Sequence, residues 1–154
     1  MRYAWTAIAC IALAASVQAR TMQCAPVDDA VVKAQFDRFN QGLASKSPDR
    51  MTALFAPGAV LLPTLSAEER TTPAAIRDYF VDFLKKSPVG QIDTSTIRIG
   101  CNMAARMGNW TFTLTDAATH KKSTAHARYT FIYSYERGQW MIAHLHSSLM
   151  PAGH

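Results

Sequence analysis

The chain has 154 residues, with 16 Lys and Arg against 11 Asp and Glu and a formal net charge of +5. Its basic residues are dispersed, Lys85-Lys86 and Lys121-Lys122 being the only doublets, and no aromatic-interleaved basic stripe exists. That pattern argues against a nucleic-acid partner, and the length suits one domain around one core.

The N-terminus reads as a targeting segment. Arg2 is followed by an uncharged run from Tyr3 to Val17, rich in Ala and Ile. Val17-Gln18-Ala19 fits the small-x-small rule, which predicts a signal peptide over 1–19 cut after Ala19. The apolar run is shorter than the ~20 residues of a spanning helix. The expectation is one periplasmic or secreted domain over 20–154, with no membrane attachment after cleavage. Cleavage removes Cys10 and leaves Cys24 and Cys101. In an oxidising compartment two remaining cysteines are expected to pair. No Cys-x-x-Cys and no Cys/His pair at zinc-ligand spacing is present, so no metal site is expected.

Asp28 or Asp29 can cap a helix reaching about Ser45, where Val31, Val32, Gln35, Phe36, Phe39 and Leu43 form an apolar stripe. Ser47-Pro48 starts a second, short helix that ends before Pro57-Gly58. Ala59 to Leu62 reads as a buried strand stopped by Pro63. A polar loop over 63–71 carries Glu68, Glu69 and Arg70. Thr72-Pro73 starts a third helix with Ile76, Tyr79, Phe80, Phe83 and Leu84 on one face, ended by Ser87-Pro88. Strands follow at about 91–99, 104–115, 122–135 and 139–148; the first alternates imperfectly. Trp110, Phe112 and Leu114 share a face of the second of these strands. Helices first and a long antiparallel sheet last predict an α+β fold.

The last strand carries the strongest signal. Trp140, Ile142, His144 and His146 fall at every second position, so regular alternation puts them on one face. Gly138-Gln-Trp-Met-Ile-Ala-His-Leu-His-Ser-Ser-Leu-Met-Pro151 resembles the closing strand of the calcium/calmodulin-dependent protein kinase II association domain. It is closer still to secreted bacterial relatives of SgcJ/EcaC type, which read His-His-His where this chain has His144-Leu145-His146. The stretches Val60–Ser66, Arg70–Pro73, Arg77–Phe80, Gly100–Asn102 and Ala127–Phe131 extend the resemblance over nearly the whole mature chain. It implies the nuclear transport factor 2-like cone shared with SnoaL-like cyclases and ketosteroid isomerases: about three helices packed on a curved, mainly antiparallel sheet.

The kinase association domain has an arginine-bearing pocket that accepts carboxylates. By resemblance, Arg128 with His144 and His146 forms the polar end of such a pocket, with Trp140, Trp110 and Tyr79 on its walls. The alternative is an Arg128 that is exposed or paired with Asp78 or Asp82, because a guanidinium buried without a partner costs several kcal/mol. Arg98 in Thr-Ile-Arg-Ile-Gly poses the same question. His144 and His146 would stand roughly 6.5–7 Å apart along the strand, wide for one metal, and no third ligand announces itself. No glycine-rich nucleotide loop and no kinase motif is present, so no cofactor is expected.

Three functions fit this reading. The first is an exported domain that binds a small carboxylate or aromatic molecule and self-associates as a homodimer or ring. The second is a cofactor-free isomerase, cyclase or lyase using His144 or His146. The third is a purely structural oligomerisation module.

Overall fold

The computed structural model describes residues 23–151; the predicted signal segment lies outside them. The element order is α1 (Asp29–Ala44), α2 (Pro48–Thr52), β1 (Phe55–Leu62), α3 (Pro73–Phe83), a 3-10 turn (Leu84–Lys86), β2 (Val89–Ile92), β3 (Thr96–Gly100), β4 (Met103–Thr115), β5 (Lys122–Glu136) and β6 (Gln139–Leu149). Each α-helix starts on a side-chain cap. Asp28 accepts from the Val31 amide, Ser47 from Arg50 and Thr72 from Ala75, satisfying amides that the first turn leaves open. Pro48 and Pro73 occupy the first helical turn, where a missing N–H costs nothing.

The sheet runs β1-β6-β5-β4-β2, with β3 also on β4. Only β1 and β6 pair in parallel; the other pairs are antiparallel. The long strands β4, β5 and β6 curl around α1 and α3. From α1 come Val32, Phe36, Phe39 and Leu43, and from α3 Ile76 and Phe80. They meet Trp110, Phe112, Tyr129, Phe131, Tyr133, Ile142 and Leu145 of the sheet. Phe131 sits at the middle, edge-on to Phe39 at 5.4 Å and stacked on Tyr133 at 5.4 Å. Such pairs add to the stabilisation from buried area. The edge strand β2 is tied to α1 by Asn40, whose Nδ2 donates to the Gly90 carbonyl and whose Oδ1 accepts from the Gly90 amide.

Cys24 and Cys101 form a disulfide across 77 residues. It fastens the segment before α1 to the β3–β4 turn. There Asn102 accepts from the Ala25 amide through its side chain and from the Tyr135 amide through its carbonyl.

Two strands differ from the sequence reading. The second helix stops at Thr52, and β1 starts at Phe55 rather than at Ala59. Pro57-Gly58 lies inside β1 as an irregularity in its pairing with β6, with Gly58 at φ 77°. The expected strand over 91–99 is two strands, β2 and β3, parted by a bend at 93–95. That bend crosses close over Gly108, and a Cβ on residue 108 would lie 2.1 Å from the Thr94 carbonyl oxygen.

Candidate functional site

A narrow cleft opens between α3, the loop after β1 and the concave side of the sheet. Phe39, Phe80, Phe83, Trp110 and Phe112 supply aromatic walls, and Leu61, Leu114, Ala125, Ala127 and Leu145 supply aliphatic ones. Its free volume is about 30 Å³, room for one or two waters. Tyr79 stands on the wall, and Pro63, Thr64 and Leu65 close one side. Leu65 is 45 % exposed, so a larger guest has an apolar side chain to push aside at the mouth.

One polar cluster interrupts this apolar lining. Ser147, on β6, is 6 % exposed. Its Oγ accepts a hydrogen bond from Trp110 Nε1 at 3.0 Å and shares another with Thr64 Oγ1. The only titratable side chain in the lining is Tyr79. Burial pushes its phenol pKa up, partly offset by the nearby Arg70, so the group is a neutral hydroxyl at ordinary pH.

Beyond the mouth lies a polar groove of Ser66, Arg70, Asp78, Asp82 and Lys86, sharing Leu65, Tyr79 and Phe83 with the cleft. The Arg70 backbone is pinned to Leu61 by two hydrogen bonds of 2.8 and 2.9 Å. Its Nη2 lies 3.3 Å from Glu68, while its buried Nε has no hydrogen-bond partner. The Glu68 carboxylate is largely exposed, and such a pair contributes little. Asp82 is occupied by Lys85 at 2.6 Å.

Of the residues singled out from sequence, Trp110 and Tyr79 line the cleft. The others do not. For the two histidines the reason is a β-bulge at Ala143. Ile142 pairs with Tyr133 and His144 with Ile132, so two steps on β6 match one on β5. The extra residue reverses the alternation. Trp140 and Ile142 point into the core before the bulge, and Leu145 and Ser147 do so after it. His144 and His146 therefore stand on the outer face, beside Ile132 and Thr130 of β5 and Val60 and Leu62 of β1. Arg128 is exposed on the same face, opposite Ser148 and Asn109. It pairs with neither Asp78 nor Asp82; the described ion pairs are Arg70–Glu68, Arg77–Asp49 and Lys85–Asp82. Trp140 is buried away from the cleft, against Tyr135 at 5.4 Å, and its carbonyl accepts from Arg38. Arg98 is exposed and donates to the Ile97 carbonyl. No group of three or more potential metal ligands gathers among the described residues.

Among the described residues the buried arginine is Arg106, 6 % exposed. Its Nε donates to Ser95 Oγ at 2.9 Å, and its guanidinium lies 5.7 Å from the centre of the Phe36 ring, a cation–π contact. Near it the Tyr133 hydroxyl is buried with no partner, and burial pushes its pKa up. Period-two counting back from Trp110 through Gly108 reaches Arg106, so its burial was readable in the sequence. Ser147 and Thr64 carried no such signal, since one lies past the bulge and the other in a loop.

Residues 28–151 match the family model of the calcium/calmodulin dependent protein kinase II association domain. Among solved structures, a Xanthomonas campestris protein described under that same domain name shares 42 % identity with a TM-score of 0.78, over 88 % of this chain and 99 % of that one. A nuclear transport factor 2-like protein from Salmonella enterica serovar Typhimurium has a TM-score of 0.68 at 16 % identity, over 79 % of this chain and 89 % of that one. A protein from Streptomyces avermitilis described as a dehydratase of the nuclear transport factor 2-like family has a TM-score of 0.72 at 7 % identity, over 80 % and 97 % of the two chains. The last two likenesses carry the fold alone. No curated protein matches the chain.

Proposed function

Because the chain belongs to the calcium/calmodulin dependent protein kinase II association domain family, we propose that it is an exported, self-associating domain whose cleft binds a small apolar or aromatic molecule. One observation carries the binding reading: a concave aromatic cleft with a single polar cluster in its wall. The lining is of the kind small-molecule sites have, and a guest larger than one or two waters has to open the cleft at Leu65. The same lining argues against catalysis at this cleft. General acid–base work needs a group that changes protonation near the working pH, and the lining holds no carboxylate, imidazole, amine or guanidinium. His144 and His146, the residues an isomerase or cyclase reading relies on, stand on the far side of the sheet. The association-domain name is no reason to assign phosphoryl transfer, since the sequence lacks the glycine-rich and catalytic-loop motifs of a kinase.

Export is supported by the 1–19 segment and by the Cys24–Cys101 disulfide, which suits an oxidising compartment. Self-association is supported by the outer face of the sheet. There Val60, Leu62, Met107 and Ile132 are half-buried and Met103 is 55 % exposed.

The cleft reading is tested by titrating the protein with small aromatic probes and following Trp110 fluorescence or calorimetric heat. Ala127 is buried in the cleft wall, and Ala127→Leu puts a larger side chain into the free volume. Wild type is expected to bind and the variant to lose at least about tenfold in affinity while remaining folded. Equal binding by both proteins places the site elsewhere, and no binding by wild type overturns the reading.

A further inference from the structure

The hydroxyls of the cleft can be counted proton by proton. Three donors meet at Ser147: the Trp110 indole N–H, the Ser147 hydroxyl and the Thr64 hydroxyl. Indole donates and cannot accept, while each hydroxyl carries one proton and two acceptor sites. Trp110 gives its proton to Ser147. The bond between Ser147 and Thr64 uses one hydroxyl proton, in either direction. If Thr64 donates, the Ser147 proton remains; if Ser147 donates, the Thr64 proton remains. Neither hydroxyl has another hydrogen-bond partner among the described residues. Whichever way the pair is oriented, one proton is left over, on buried Ser147 or half-buried Thr64, and both residues line a cleft whose one other hydroxyl is that of Tyr79.

We infer that the cleft takes an uncharged molecule with an apolar or aromatic body and one hydrogen-bond acceptor, such as a ketone, aldehyde or ester, which receives the proton left over by Thr64 and Ser147. The inference rests on the reading of the cleft as a binding site and names the class of molecule that fits it. A hydrocarbon that entered by displacing Leu65 would leave the hydroxyl proton unmatched, and buried unmade hydrogen bonds are costly. A carboxylate would bring a full charge to a wall without a cation, at still higher cost. Arg70 and Lys86 lie outside, in the groove beyond the mouth. Tyr79 also offers a hydroxyl on the shared wall; it is retained in every variant below, so its contribution cancels.

The test is a thermodynamic cycle with acetophenone, ethylbenzene and benzoate, measured by calorimetry on the full chain. The first two share a carbon skeleton and differ by one acceptor oxygen, so the ratio of their affinities isolates the hydrogen bond when compared between proteins. Relative to wild type, the variant Thr64→Val/Ser147→Ala/Trp110→Phe, which removes the three donors that meet at Ser147, is expected to shift that ratio about five- to tenfold against the ketone. Thr64→Val alone is expected to leave the ratio unchanged, because it releases the Ser147 proton to the ligand. Benzoate is expected to bind wild type at least about tenfold more weakly than acetophenone. An unshifted ratio in the triple variant, a full shift in Thr64→Val, or benzoate as the tightest ligand would each overturn the inference while leaving the cleft as a site. Binding of neither neutral probe would overturn both. If the triple variant does not fold, infrared spectroscopy of acetophenone on wild type decides. A carbonyl stretch lowered from its position in hydrocarbon solvent supports the hydrogen bond, and an unshifted stretch rejects it.

Discussion

Single side chains decide where this protein is polar inside and where its chain can cross itself. The bend between β2 and β3 passes so close to β4 that residue 108 has no room for a side chain. A Cβ there would meet the Thr94 carbonyl oxygen at 2.1 Å and its carbon at 2.7 Å. The crossing is held by Thr94 Oγ1, which accepts from the Asn109 amide, and by the Thr94 carbonyl, which accepts from the Tyr129 hydroxyl at 3.1 Å. The obstacle is backbone, so a substitution cannot be relieved by a rotamer change. Gly108→Ala is expected to cost about 1–3 kcal/mol, as overpacking does elsewhere. In urea unfolding this lowers the midpoint with little change in slope; an unchanged midpoint would mean that the bend shifts freely. At this scale the sequence was partly legible. The cysteine count foretold the Cys24–Cys101 bond. Arg128 and Arg98 drew attention for lying in apolar runs, yet both are exposed and Arg106 is the buried one. A run of apolar neighbours says only that a strand has a buried face. The parity with Trp110 says which residues share that face.

Among the elements, β6 shows how one residue redirects a site. Strand alternation is strict, so one inserted position moves every later side chain to the opposite face. Ala143 is that position. Before it the core receives Trp140 and Ile142, and after it Leu145 and Ser147, both 6 % exposed or less. Composition and period cannot locate a bulge, which is why the sequence assigned His144 and His146 to the concave side. Deleting Ala143 would restore regular alternation. Either Trp140 and Ile142 or Leu145 and Ser147 would then turn outward, and the histidines could turn into the core. The expected loss is at least about 4 kcal/mol, in the range of severe core disruption. It would show as a lost near-ultraviolet circular dichroism signal or a strongly lowered melting temperature. Ala143→Gly keeps the residue count and serves as the control, with a cost of about 1 kcal/mol or less. A deletion variant as stable as wild type would show that the bulge does not set the facing of this strand. The helices were more legible because their caps are local. Asp28, Ser47 and Thr72 each sit at the residue where a helix starts.

Over the whole molecule, the order of helices and strands and the resemblance of the last strand were enough to give the cone. The cleft's chemistry was not readable, because it depends on a bulge and on a loop residue meeting across 83 positions of sequence. The same bulge that empties the cleft of histidines enriches the outer face of the sheet. His144 and His146 there join Val60, Leu62, Ile132, Thr130, Met107, Met103 and Arg128. The helices cover only the concave side, so this mixed face has no cover among the described residues, and a mostly antiparallel sheet with apolar residues on both faces suits a partner on the second. A second copy is the occupant expected of it, because an isologous two-fold contact buries one face with one interface. Ile132 lies near the middle of the patch and is half-buried without belonging to the core. Light scattering at micromolar concentration should therefore give about twice the chain mass for wild type. Ile132→Glu should give the monomer mass with an unchanged far-ultraviolet spectrum, since burying a carboxylate at such an interface costs desolvation in both copies that a neighbouring His144 does not fully repay. A wild type that runs as a monomer would refute association under these conditions. A variant that stays dimeric would move the interface to another surface.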